Sequence, residues 1–158
     1  MKKKYLVLLT LVPLLAGWII CISAEYPRVW MALYYILPVF VSLFWFWLGS
    51  QFSKTDQGYL KSLLISSVAG LLSLGIYLWQ FCGKTDETRS MLWAGVSQYY
   101  SCSAPLYLLA RIVLLFETQP NYIGEASGLA LQIIAVLYMA VIFSLGYMWG
   151  KRTISDNS

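Results

Sequence analysis

The sequence predicts an all-α integral membrane protein: a bundle of four transmembrane helices, with a short interfacial or re-entrant helix in a long outer segment between spans three and four. Three observations carry this reading. Of the 158 residues, 59% are hydrophobic, 16% are aromatic and only 11% are Asp, Glu, Lys or Arg, whereas a soluble domain carries about 25% charged residues. Mean hydropathy is +0.67. Four apolar runs, residues 5–23, 29–49, 62–81 and 129–149, contain no charged side chain, and each approaches the length of about 20 residues, roughly 30 Å of helix, that a hydrocarbon core demands. The chain is read as one membrane domain, with no internal repeat and no low-complexity tract.

The first span follows Lys2, Lys3 and Lys4, a pattern shared with secretory signal peptides. Its apolar run exceeds the usual signal core, and Ile22 is a poor residue for a cleavage site, so the span is expected to be retained. Pro13 in this span and Pro38 in the second each remove a backbone donor and predict a kink. Their neighbours Val12, Leu14, Leu37 and Val39 are apolar. A bending role is therefore preferred to the ion-coordinating broken helix of some transporters.

Aromatic residues cluster where two headgroup belts belong. Trp18, Tyr26, Trp30, Trp79 and Phe81 lie near the outer boundary, and Tyr5, Trp45, Trp47, Phe52, Tyr147 and Trp149 near the inner one. A ring with a polar handle favours that level. In the third span Ser62, Ser66, Gly70 and Ser73 recur at intervals of four, four and three, which puts them on one helical face. The fourth span and its approach carry a comparable stripe of Ala126, Ala130, Leu137, Ala140 and Ser144, with the pairs Gly124/Gly128 and Gly146/Gly150. Small residues let helices approach in lipid, so spans three and four are expected to pair, and the same faces offer a surface for homo- or hetero-oligomers.

Orientation follows from the cations. With four spans and an inner amino terminus, Lys2, Lys3, Lys4, Lys54, Lys61, Lys151 and Arg152 lie inside, and Arg28, Lys84, Arg89 and Arg111 outside, seven against four. A fifth span made by extending residues 105–116 backwards through Met91, with Ser97, Gln98, Ser101 and Ser103 inside the membrane, would give five against five and abolish the bias. The positive-inside rule therefore selects four spans and places both termini in the cytoplasm of a plasma-membrane protein. Residues 105–116 are too short to span and become the interfacial or re-entrant helix of the outer segment, residues 82–128. The net charge of +4 is spent on these clusters, so no nucleic-acid partner is expected; the lipid bilayer is the expected environment.

Function, where localised, falls on that outer segment. Pro105 suits the first turn of its helix. Tyr107 and Arg111 are four apart and share a face, among Leu108, Leu109, Ile112, Val113 and Phe116. Arg111 either snorkels to the interface or turns inward to hold a carboxylate or an anionic ligand or lipid headgroup by bidentate hydrogen bonds. Glu87, Glu117 and Glu125 are the carboxylates in reach along the sequence, and Glu117, six positions on, is on a different face. Tyr107, Glu87, Glu125, Lys84 and Arg89 complete the candidate ligand- or partner-binding set. Cys82 and Cys102 are read either as a disulfide on the oxidising side, with Cys21 as an alternative partner, or as small buried apolar residues.

Elimination removes most chemistry. The chain has no histidine, hence neither the commonest metal ligand nor the default base. It has no C-x-x-C pair, no phosphate-cradling glycine loop and no closed set of metal ligands, so neither metal nor cofactor is expected and no catalytic residue is assigned. Asp86 and Glu87 are adjacent and point apart on a helix. Three readings stand: a non-enzymatic carrier, channel or ligand-binding membrane component with its polar site on the outer face; an accessory or immunity-type subunit recognising another membrane protein; and a lipid-directed enzyme using Lys84, Arg89 and Arg111 as anion holders.

Overall fold

The computed structural model describes residues 3–81, 83–85, 87–106, 108 and 124–155, with the backbone alone at positions 3, 125, 154 and 155. These residues are helical throughout, with no strand among them. Helices α1 (Lys3–Leu9) and α2 (Val12–Ile22) are joined through Thr10 and Leu11, and a 3-10 turn, Ser23–Glu25, leads to α3 (Pro27–Phe52). Then come α4 (Tyr59–Phe81), α5 (Met91–Cys102) and α6 (Glu125–Ser155). Four helical segments are long and apolar enough to cross a membrane: Lys4–Glu25, Pro27–Phe52, Tyr59–Phe81 and Ala126–Thr153. All four apolar runs of the sequence fall on them.

The two prolines act differently. Pro13 stands in the first turn of α2, where its absent N–H is no loss, and the break before it is closed by Thr10, whose N–H and hydroxyl both donate to the Val7 carbonyl, at 3.2 and 2.7 Å. Pro38 lies inside α3, which stays helical across it; there Ser42 Oγ donates to the Pro38 carbonyl at 2.8 Å and meets Tyr138 Oη at 2.9 Å.

One end of the bundle carries Lys4 and Thr153, together with Phe52 and Tyr59; the other, called the far end below, carries Glu25, Pro27, Phe81, Met91 and Glu125. The most extensive helix contact joins α3 and α6. Added Cβ atoms on Gly49 and Gly146 would strike the Phe143 and Phe46 carbonyl oxygens, and one on Gly150 would lie 2.7 Å from the Ser50 carbonyl. Residue numbers rise together through these contacts, so α3 and α6 are parallel. The expected pairing of the third and fourth spans is thus secondary: α4 meets α6 antiparallel through Tyr77 at Gly128 and Tyr59 Oη at Ser144 Oγ, 2.8 Å apart.

The buried stripe of α6 runs through Leu131, Ala135, Met139, Phe143 and Tyr147, whereas Leu137 of the expected stripe is 59% exposed. Ala126 is exposed as well, and Ala130, Ala140 and Ser144 are half-buried. Three aromatics assigned to the inner belt belong to the core instead: Trp45, Phe52 and Tyr147 are buried, with Phe143 5.5 Å from Phe52 and 6.3 Å from Trp45 between ring centroids. Glycine explains this shift, since the backbones of α3 and α6 meet at Gly49, Gly146 and Gly150 and large rings fill the space beside the contact. Tyr5, Trp47 and Trp149 remain exposed.

Candidate functional site

Helix α5 is the element that shapes the far end. It packs between α2 and α4, and runs antiparallel to α4: Trp93 stands 6.4 Å from Trp79, Ser73 Oγ donates to the Ser97 carbonyl at 2.6 Å, and Tyr100 covers Gly70. Gly70 is the midpoint of α4, so α5 reaches halfway down the bundle. On the other side the Tyr99 carbonyl lies against Gly17 of α2, where no side chain would fit. Pro105 and Leu108 then line a hollow with Ser42 and Tyr138, at the middle of α3.

The sequence assigned no helix to residues 91–102, because the cation count spoke against a fifth span extended back through Met91. Each serine hydroxyl satisfies itself locally: Ser97, Ser101 and Ser103 donate to the carbonyls of Ala94, Gln98 and Tyr100 at 2.6, 2.9 and 2.6 Å. A serine bonded in this way to its own helix can be buried at modest cost. The third-span face supplies the seat: Ser62, Ser66, Gly70 and Ser73 are all buried, and Gly70 and Ser73 receive α5.

Where α4 ends, a polar junction is built around Gln80, which is 0% exposed. Its side-chain Oε1 accepts the Ser90 N–H at 3.0 Å, and its backbone carbonyl accepts Arg89 Nε–H at 3.1 Å. The Arg89 guanidinium also lies 4.3 Å over the Phe81 ring. Gln80 Nε2 is buried and has no hydrogen-bond partner among the described residues. Flipping the amide would not cure this, because it would set Nε2 against the Ser90 N–H, donor against donor. Beside the junction Lys84 Nζ sits 4.3 Å over Trp79.

The expected site residues divide accordingly. Lys84 and Arg89 are half-buried at the junction, and Glu87 is exposed. Arg111, Tyr107, Glu117, Asp86 and Cys82 lie outside the described residues, as do the Glu125 side chain and nearly all of the 105–116 segment. Gln80 and Ser90 went unremarked in the sequence; the one signal for Gln80 is an amide standing alone between Trp79 and Phe81 at the end of an apolar run. Cys102, expected opposite Cys82, has its Sγ 3.8 Å from the Sγ of Cys21.

Two further hollows flank the bundle. An apolar groove of about 630 Å³ runs between the first helical segment and α4, lined by Leu8, Leu11, Leu14, Val68, Leu72 and Ile76, with Lys4 at its end. Another, of about 520 Å³, lies at the opposite end from Gln80, among Tyr59, Tyr147, Lys151 and Arg152. Among the described residues no three potential metal ligands come together.

No protein family, curated protein or solved structure matches the chain.

Proposed function

We propose that this is a plasma-membrane protein that crosses the bilayer four times with both termini in the cytoplasm, and that it binds, at the outer end of its bundle, a small ligand bearing a hydrogen-bond acceptor, anionic at neutral pH. The observation that carries the ligand reading is Gln80 Nε2: a buried amide donor without a partner among the described residues, a state that costs about 1–3 kcal/mol unless an acceptor is supplied. Lys84 beside it favours a carboxylate or phosphate. The topology rests on the sequence count of seven inner cations against four outer ones. Within it, α5 with Pro105 and Leu108 belongs to the re-entrant element, entering from the outer end, since Tyr100 and Pro105 both stand at mid-depth of the spans they touch. Binding is preferred to free conduction because the helices close on one another at Gly17, Gly49, Gly70 and Gly146. The accessory-subunit alternative drew on the small-residue faces, of which the α4 face, Ser62, Ser66, Gly70 and Ser73, is taken up by contacts within the chain.

The test is retention. Parent protein and Gln80→Leu are purified in mild detergent at matched helical content, and the small molecules each retains are identified by mass spectrometry. A species held by the parent and lost from Gln80→Leu is the expected outcome; identical contents in parent and variant would sink the reading.

A further inference from the structure

The thiols of Cys21 and Cys102 come from helices 81 positions apart in sequence, yet their sulfurs are 3.8 Å apart, the Cys21 thiol donating to Cys102 Sγ. Both residues are half-buried, so the pair is neither sealed in the core nor displayed on the surface. It lies next to the tightest contact of α5, where the Tyr99 carbonyl meets Gly17. A disulfide needs sulfurs about 2.05 Å apart, and side-chain rotation readily supplies an approach of this order when the backbones are already held together. We infer that Cys21 and Cys102 form a dithiol–disulfide pair that clamps α5 to α2.

The chemistry is exchange with an external disulfide, borne either by a thiol–disulfide oxidoreductase or by oxidised glutathione. One of the two thiols loses its proton, attacks the incoming disulfide and expels one of its sulfurs as a thiolate, giving a mixed disulfide. The second thiol, also deprotonated, attacks the sulfur of its neighbour and expels the carrier's remaining thiolate. The Cys21–Cys102 bond forms and the external S–S bond breaks. The chain gives up two electrons and two protons, and the carrier leaves fully reduced. The proposed orientation enters only in the source of oxidant, since Cys21, in the last turn of α2, then lies toward the oxidising side.

Oxidised glutathione is the probe. Reduced, purified full-length protein is incubated with it, the remaining thiols are alkylated, and the peptides are mapped with and without reductant. The expected result is a reductant-sensitive linkage of the peptides containing positions 21 and 102, unchanged in Cys82→Ser. In Cys21→Ser, Cys102 should instead keep a glutathione, because the resolving thiol is gone. A Cys82–Cys102 linkage, or Cys21 and Cys102 both fully alkylatable in the treated parent, overturns the inference. The same mapping on protein alkylated in intact cells separates the two proposals: linkage in the purified protein but not in cells keeps the pair and overturns the orientation.

Discussion

Gly146 has no room for a methyl group, because an added Cβ would meet the Phe46 carbonyl oxygen of the neighbouring helix. Backbone cannot swing aside as a side chain can, so Gly146→Ala must push α6 away from α3. Overpacking of this kind costs about 1–3 kcal/mol, and the expected outcome is a clear fall in melting temperature in detergent. Gly75 is the control, since nothing lies within 4 Å of its added Cβ. Gly75→Ala should be neutral or stabilising by up to about 1 kcal/mol, the difference in helix propensity. The hydroxyl of Ser73 is a second residue with a defined task, its 2.6 Å bond to the Ser97 carbonyl. Ser73→Ala should cost about 1 kcal/mol in the same melting assay and should loosen α5 before the rest of the bundle, seen as faster alkylation of Cys102.

At the scale of the element, α5 is held by shape more than by polarity. Tyr100, 1% exposed, fills the notch that Gly70 leaves in α4. Tyr100→Ala should cost about 3–5 kcal/mol, the range for deleting a buried aromatic, whereas Trp93→Ala, at a 43% exposed position, should cost far less; thermal melts of the two variants make the comparison. The same helix marks where the sequence ceased to be legible. Long charge-free runs announce themselves, because length and composition alone decide whether a helix can cross a hydrocarbon core, and the four long segments follow from that. A helix of 12 residues with two serines carries no such mark. Its burial depends on local hydroxyl bonds and on glycine notches in two other helices, neither visible in its own composition. The third-span face was legible as a set of small residues, but not which helix would occupy it. At the junction, Lys84 and Arg89 could be read as candidate anion holders from their charge, while Gln80 matters through a missing partner, which only three-dimensional packing reveals.

For the whole molecule, orientation is the property most exposed to a decisive experiment. In a background lacking the native cysteines, a Ser155→Cys reporter thiol should resist an impermeant maleimide added to intact cells and react once the cells are opened. Strong labelling of intact cells would invert the molecule and move the Gln80 junction to the cytoplasmic side.

The parallel contact between α3 and α6 has a consequence for how the chain is made. Phe46 and Gly146 touch across 100 positions of sequence, so when α3 leaves the ribosome its principal partner has not been synthesised. Until then Trp45, Leu48 and Phe52 have no α6 side chains to pack against, and lipid or an attendant chaperone must cover them. Such distant contacts make closure slow and leave intermediates open to degradation. The last helix is therefore the keystone of assembly. A chain halted before Glu125 should insert normally yet disappear quickly in a pulse-chase experiment, and supplying α6 as a separate polypeptide should lengthen its life.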